Sequence, residues 1–169
     1  MWCVLRCRSE QTKDIIGMLK KHIPDEILTD VFTFTCDRMR RYEGSWHLER
    51  KEMFPGYVFL ETGNIDTLSE MLEPYRRFVK TAGEDGMLRR IEPEEEAFLR
   101  RLCGEKHHLG MSRGYIQNGV THVANGPLRG MERQIRRIDR HKRVADVAAE
   151  DDAIGFRTVL AGLEITEKT

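Results

Sequence analysis

An α+β fold in two successive parts is what this sequence predicts, on three observations. Helix-like and strand-like periodicities alternate up to about residue 106. Helical periodicity then stops, and short β-prone pieces separated by turn residues take over for the remaining stretch.

The opening run Trp2 to Arg6 is short and β-prone. Ser9 can cap a helix in which Ile15, Ile16, Leu19 and Ile23 recur at helical spacing until Pro24 stops it. Val31-Phe32-Thr33-Phe34-Thr35 alternates β-branched and aromatic residues, as a strand does. A polar, arginine-rich excursion over residues 38–44 leads to the next strand, in Phe54-Pro55-Gly56-Tyr57-Val58-Phe59-Leu60. Asp66 can cap a helix carrying Leu68, Met71, Leu72 and Tyr75, with Pro74 near its end, and Phe78-Val79-Lys80 reads as a returning strand. Pro93 opens a further helix, with Glu94, Glu95 and Glu96 in its first turn, Arg100 and Arg101 in its last, and Gly104 just beyond. That order suits the helix dipole and the conformational freedom needed past a helix end.

Strand, helix, strand, strand, helix, strand is the order of a ferredoxin-like split βαβ unit, which needs about a hundred residues to close a core. It fits residues 1–106. Residues 107–169 offer Tyr115-Ile116, the turn Asn118-Gly119, Val120 to Val123, the turn Gly126-Pro127, Gln134 to Ile138, Val144 to Val147 and Phe156 to Leu160. Such short pieces predict a small β-barrel. Residues 104–110, polar and bounded by glycines, read as the linker between the two.

The chain has 169 residues, 40% hydrophobic and 33% charged, the composition of a folded rather than a disordered protein. No apolar run approaches the roughly 20 residues that span a bilayer, and the expected place is the cytoplasm. The four cysteines, Cys3, Cys7, Cys36 and Cys103, form no CxxC pair, so neither a disulfide framework nor a zinc knuckle is indicated. Cys3 and Cys7 can be grouped with His107 and His108 on paper, but no spacing fixes their separation, and neither a metal nor any other cofactor is expected. A nucleophile elbow, an HExxH pair, a Walker loop and a GxGxxG turn are all missing from the sequence, which argues against an enzyme.

Charge is where the sequence is most informative. Its 28 basic and 28 acidic residues cancel, yet residues 126–143, GPLRGMERQIRRIDRHKR, concentrate Arg129, Arg133, Arg136, Arg137, Arg140, Lys142 and Arg143 against Glu132 and Asp139, with His141 as a further donor. A local cationic stretch in a neutral protein is the footprint of a phosphate-bearing partner. Ile135 and Ile138 can face a core while Arg133, Arg136 and Arg137 stay outside, and Asp139 to Lys142 then form a hairpin tip. The plain alternative is a solvated charged face. In FPGYVF, Tyr57 and Phe59 share one face of a strand, and Val58 and Leu60 the other. Either the aliphatic pair fills the core and Tyr57, Phe59, Phe54 and Pro55 make an exposed docking patch, or the aromatics are the core.

Trp2, FPGYVF and Gly126-Pro127-Leu128-Arg129-Gly130 together resemble the NusG family of transcription elongation factors, over nearly the whole chain. HHLGMSRGYI and the GPLRG to IRRIDRHKR stretch look like the LoaP branch of processive antitermination factors. The resemblance implies a NusG N-terminal domain over residues 1–106 and an SH3-like KOW barrel over residues 107–169. It implies a monomeric factor that docks on the β′ clamp helices of bacterial RNA polymerase through Phe54, Pro55, Tyr57 and Phe59. Arg129, Arg133, Arg136, Arg137, Arg140, His141, Lys142 and Arg143 would face a structured leader RNA hairpin, and the polar loop at residues 61–64 is a candidate contact for non-template DNA. The alternative within the family is a general adaptor whose barrel grips a ribosomal or termination protein. Arg133 departs from the family pattern, which has glycine there: either arginine is strained at a left-handed or crowded position, or the turn differs locally, or Arg133 adds a phosphate contact.

Overall fold

A computed structural model describes residues 1–78, 80–81 and 88–169. In chain order the elements are β1 (Trp2–Arg6), α1 (Thr12–His22), β2 (Asp30–Phe32), β3 (Thr35–Tyr42), β4 (Ser45–Glu52), β5 (Tyr57–Glu61), α2 (Ile65–Leu72), β6 (Lys80–Thr81), β7 (Arg89–Arg90) and α3 (Pro93–Cys103). They continue with β8 (His108–Leu109), β9 (Ser112–Gln117), β10 (Val120–Asn125), β11 (Ile135–Asp139), β12 (Val144–Ala148) and β13 (Thr158–Lys168). The fold is α+β, with three sheets among the described residues.

The chain divides into two compact units, neither of them one continuous segment. The first comprises residues 1–33 and 54–96, the second residues 34–53 and 97–169. The boundary expected at residue 106 therefore lies elsewhere, and for a definite reason. The arginine-rich excursion is part of a hairpin of two eight-residue strands, β3–β4, closed by Glu43 and Gly44, both at positive φ, as a tight two-residue turn requires. β3 pairs in parallel with β8, which ties the hairpin to the second unit. Residues 104–110, expected as a linker, are thereby structured: Thr35 N–H donates to His107 O at 3.0 Å, and His108 Nε2 lies 3.0 Å from Asp37 Oδ1.

In the first unit the sheet runs β2-β5-β1-β6, all pairs antiparallel, with β7 also pairing β1. One face carries Cys3, Leu5, Val31, Val58 and Leu60, packed with Ile15 and Leu19 of α1 and Leu68 and Leu72 of α2. Trp2, Phe32 and Phe59 are buried as well, and unbroken apolar runs such as Trp2 to Leu5 are what a sheet covered on both sides needs. Two expected caps differ. Ser9 begins a short 3-10 turn instead of capping α1. At α2 it is Asn64 whose side chain accepts from Thr67 N–H, at 3.1 Å, because Asp66 already lies inside the first turn. The Val31 to Thr35 strand is broken after Phe32, where the chain passes from one unit to the other. Val79 lies outside the described residues.

In the second unit the larger sheet runs β10-β9-β13-β12-β11, antiparallel except where β13 meets β9. Asn118 and Gly119, at φ +50° and +77°, make the β9–β10 turn expected of that dipeptide. Val123, Leu128, Met131, Val147, Val159, Ala161 and Leu163 are among its buried apolar side chains. Among the described residues no helix is long and apolar enough to cross a membrane.

Candidate nucleic-acid interface

The basic stretch begins at a turn that only its own residues can make. Gly126 has φ +96°, and a Cβ there would lie 2.5 Å from Ser112 Cα. Leu128 is fully buried, and its N–H donates to Ser112 Oγ at 3.0 Å. Gly130, at φ +83°, turns the chain again. Arg129 is exposed, and its carbonyl accepts from Arg101 Nη2 at 3.0 Å.

Arg133 sits in a 3-10 turn over Glu132–Gln134. That backbone is right-handed, so arginine carries no left-handed cost here and its side chain is exposed. The strained alternative is overturned; the freedom that glycine would supply is needed at Gly126 and Gly130 instead. The Glu132 carboxyl is held below its ordinary range, first by its own backbone N–H and further by those of Gly130 and Val123.

β11 and β12 form the hairpin that the spacing of Ile135 and Ile138 suggests. Residues three apart share a strand face only if one extra residue is inserted, and the register shows it: Ile135 opposes Val147 and Arg137 opposes Asp146, leaving Arg136 in a bulge. Arg136 and Arg137 consequently both stay exposed while Ile135 and Ile138 are half-buried. At the tip, residues 140–143, Lys142 N–H donates to Asp139 Oδ1 at 3.0 Å. That bond is the main reason the Asp139 carboxyl titrates below its ordinary value.

The cations are not equivalent. Arg129, Arg133, Arg137, Arg140, His141 and Lys142 are exposed, and among the described residues their side chains have no ion pair. Arg136 reaches Asp151 at 2.9 Å. Arg143 is turned inward: its guanidinium lies 4.1 Å from the Trp46 ring centroid and 3.1 Å from Glu164 Oε1. It braces the tip and is the least available of the expected RNA contacts. Trp46 and Glu164 are therefore parts of the site that residue-type reasoning missed; the strand alternation of Ser45 to Glu52 was the available signal for the first.

The aromatic patch needs correction. Phe59 is fully buried, stacked on Phe32 with centroids 5.8 Å apart and beside Phe54 at 6.0 Å. Its face of the sheet is covered, so Phe59 is core and not docking surface. Tyr57 is half-exposed with the Arg6 guanidinium 5.5 Å from its centroid, Phe54 is half-buried, and Pro55 is exposed. Gly56, at φ +80°, admits Cys7, whose N–H donates to Gly56 O at 2.8 Å.

The cysteines and histidines have structural occupations. Burial pushes the Cys3 thiol up to about 11 and the Cys103 thiol up to about 12. His108 Nδ1 lies 2.7 Å from Thr35 Oγ1, and the His107 ring packs edge-on to Phe34. Among the described residues no group of three or more His, Cys, Asp or Glu side chains could hold a metal ion. No family model matches this sequence, and no curated protein matches it at a significant level.

Proposed function

We propose that this chain is a non-enzymatic transcription antitermination and elongation factor that reads a structured RNA through the β11–β12 hairpin. The observation that carries the reading is the set of exposed, unpaired cations Arg133, Arg137, Arg140, His141 and Lys142 on a hairpin braced by Arg143. Guanidinium and ammonium groups held on a rigid support suit phosphates and unstacked base edges.

Two features of the fold support the family resemblance. The antiparallel order β2-β5-β1-β6, with α1 and α2 packed on one face, supports a ferredoxin-like reading of the first unit. In the second unit the GPLRG turn lies between β10 and β11 of a sheet that is antiparallel except where β13 meets β9, which supports reading it as the KOW barrel of that family. On this reading the first unit docks on the β′ clamp helices of bacterial RNA polymerase through Tyr57, Pro55 and Phe54. A factor that binds the elongating state better than the paused one then favours elongation by that difference in affinity.

The test is binding of the full chain to leader RNA hairpins, single-stranded RNA and duplex DNA across a salt series. A preference for a hairpin that persists at physiological salt is expected. The logarithm of affinity should fall with that of salt by about 0.7–0.9 per neutralised phosphate, and Arg137→Ala and Arg140→Ala should each flatten that slope. Equal, weak binding to all three nucleic acids would sink the RNA reading and redirect the search to a protein partner.

A further inference from the structure

Arg137, Asp146 and Leu160 form a straight row over three adjacent strands: Asp146 opposes Arg137 on β11 and Leu160 on β13. All three are exposed, so the row lies on the outward face, at the strand spacing of about 4.8 Å. Together with Asp139, Lys142 and Val144 they line a cleft of about 190 Å³.

Two carboxylates in a cationic surface run against phosphate binding, since each repels the backbone that its neighbours attract. Asp139 has a structural task, accepting from Lys142 N–H. Asp146 has none: among the described residues its carboxylate has no hydrogen bond or ion pair, although Arg137 stands directly opposite.

An unengaged carboxylate beside cations is an acceptor pair next to donors. Among the RNA bases only guanine matches that pattern on its Watson–Crick edge, with N1–H and N2–H side by side and the O6 acceptor next to them. Adenine and cytosine set a ring-nitrogen acceptor beside their amino group, and uracil has one N–H between two carbonyls; each can give a carboxylate a single hydrogen bond while its second oxygen meets an acceptor.

We infer that the cleft is a pocket for an unpaired guanine, with Asp146 accepting from N1–H and N2–H, Arg137 or Lys142 donating to O6, and Leu160 forming an apolar wall for the ring. The guanine is unpaired because a stem hides the edge being read. This pocket rests on the RNA-reading function proposed above and adds base selectivity to it.

Full-length protein titrated with RNA hairpins that differ in one unpaired loop base tests it. Guanine should bind about tenfold or more tightly than adenine, cytosine or uracil, the discrimination of one bidentate pair. Inosine, which lacks the 2-amino group, should fall between. Asp146→Asn and Asp146→Ala should each remove the preference while leaving affinity for the adenine hairpin unchanged or higher. In parallel, 5′-GMP but not 5′-AMP should shift the backbone amide NMR signals of Asp146 and Leu160. Equal affinity for all hairpins, or a guanine preference surviving both substitutions, overturns the pocket and leaves RNA reading in place. If no hairpin binds more tightly than single-stranded RNA, the RNA reading falls, and the pocket falls with it.

Discussion

The Trp46 ring on β4 receives the Arg143 guanidinium from the turn between β11 and β12, at 4.1 Å to the centroid. The β3–β4 and β11–β12 hairpins are thus joined by a cation–π contact, with Glu164 of β13 holding the same guanidinium. Arg143 adopts φ +54°, which arginine accepts at a cost, and the contact offsets that cost. A double-mutant cycle of Trp46→Ala and Arg143→Ala in denaturant should give a coupling energy of about 1 kcal/mol. A coupling near zero would show that the ring and the guanidinium are merely adjacent.

Gly126→Ala should destabilise the protein by at least about 2 kcal/mol, because it combines a left-handed backbone with a Cβ pressed on Ser112. For a chain of this length that corresponds to a Tm lower by about 4–8 °C. Gly119→Ala, left-handed too but with open space around it, should cost less. Equal losses at both positions would mean that the close approach to Ser112 contributes nothing.

Tyr57 and Phe59, neighbours on one strand face, should separate experimentally. On the function proposed above, Tyr57→Ala should weaken polymerase binding with RNA binding and folding retained, since the ring is half-exposed. Phe59→Ala should instead cost about 3–5 kcal/mol of stability, as the loss of a buried aromatic does. Pull-down on polymerase together with thermal melting reads both, and a stable Phe59→Ala protein that fails to bind would restore Phe59 to the docking surface.

Alkaline pH should destabilise the fold through its thiols. Cys3 and Cys103 are raised from 9.0 to about 11 and about 12, chiefly by burial. Their protonated forms are favoured in the folded state, so this stability is fully present below about pH 9 and is lost as pH rises toward the folded values. Denaturant midpoints should fall between pH 9 and 11, and Cys3→Ala should lessen the fall. A thiol reagent at neutral pH should label half-exposed Cys7 and reach Cys3, Cys36 and Cys103 only after unfolding.

What the sequence revealed, and what it hid, divides along local and non-local lines. Asn118-Gly119, Pro93 with its acidic first turn, and the three-residue step from Ile135 to Ile138 each encode their own geometry, and each reads correctly. Ser9 was misread because a capping residue is only as good as the backbone that follows it, and a 3-10 turn intervenes. The β3–β4 hairpin was obscured by charge: Arg38, Arg40 and Arg41 read as a polar excursion, although Glu43-Gly44 is a tight-turn dipeptide between alternating strands. Phe59 could not be placed from its strand alone, because alternation separates two faces without saying that both are covered. Arg143 looked like its neighbours until Trp46, remote in sequence, claimed it.

The discontinuity of the second unit has a consequence for how the protein can be made. Its hairpin is synthesised among segments of the first unit, yet β8, the strand that pairs with β3, lies far downstream. Its larger sheet is worse placed: β13, last in chain order, lies in the middle, between β9 and β12. On the ribosome, then, β9 and β12 emerge as strands without their shared neighbour, and the interior of that sheet stays open until Thr158–Lys168 leaves the exit tunnel. A premature stop shortly before that strand would release a chain whose β11–β12 hairpin is present but unsupported.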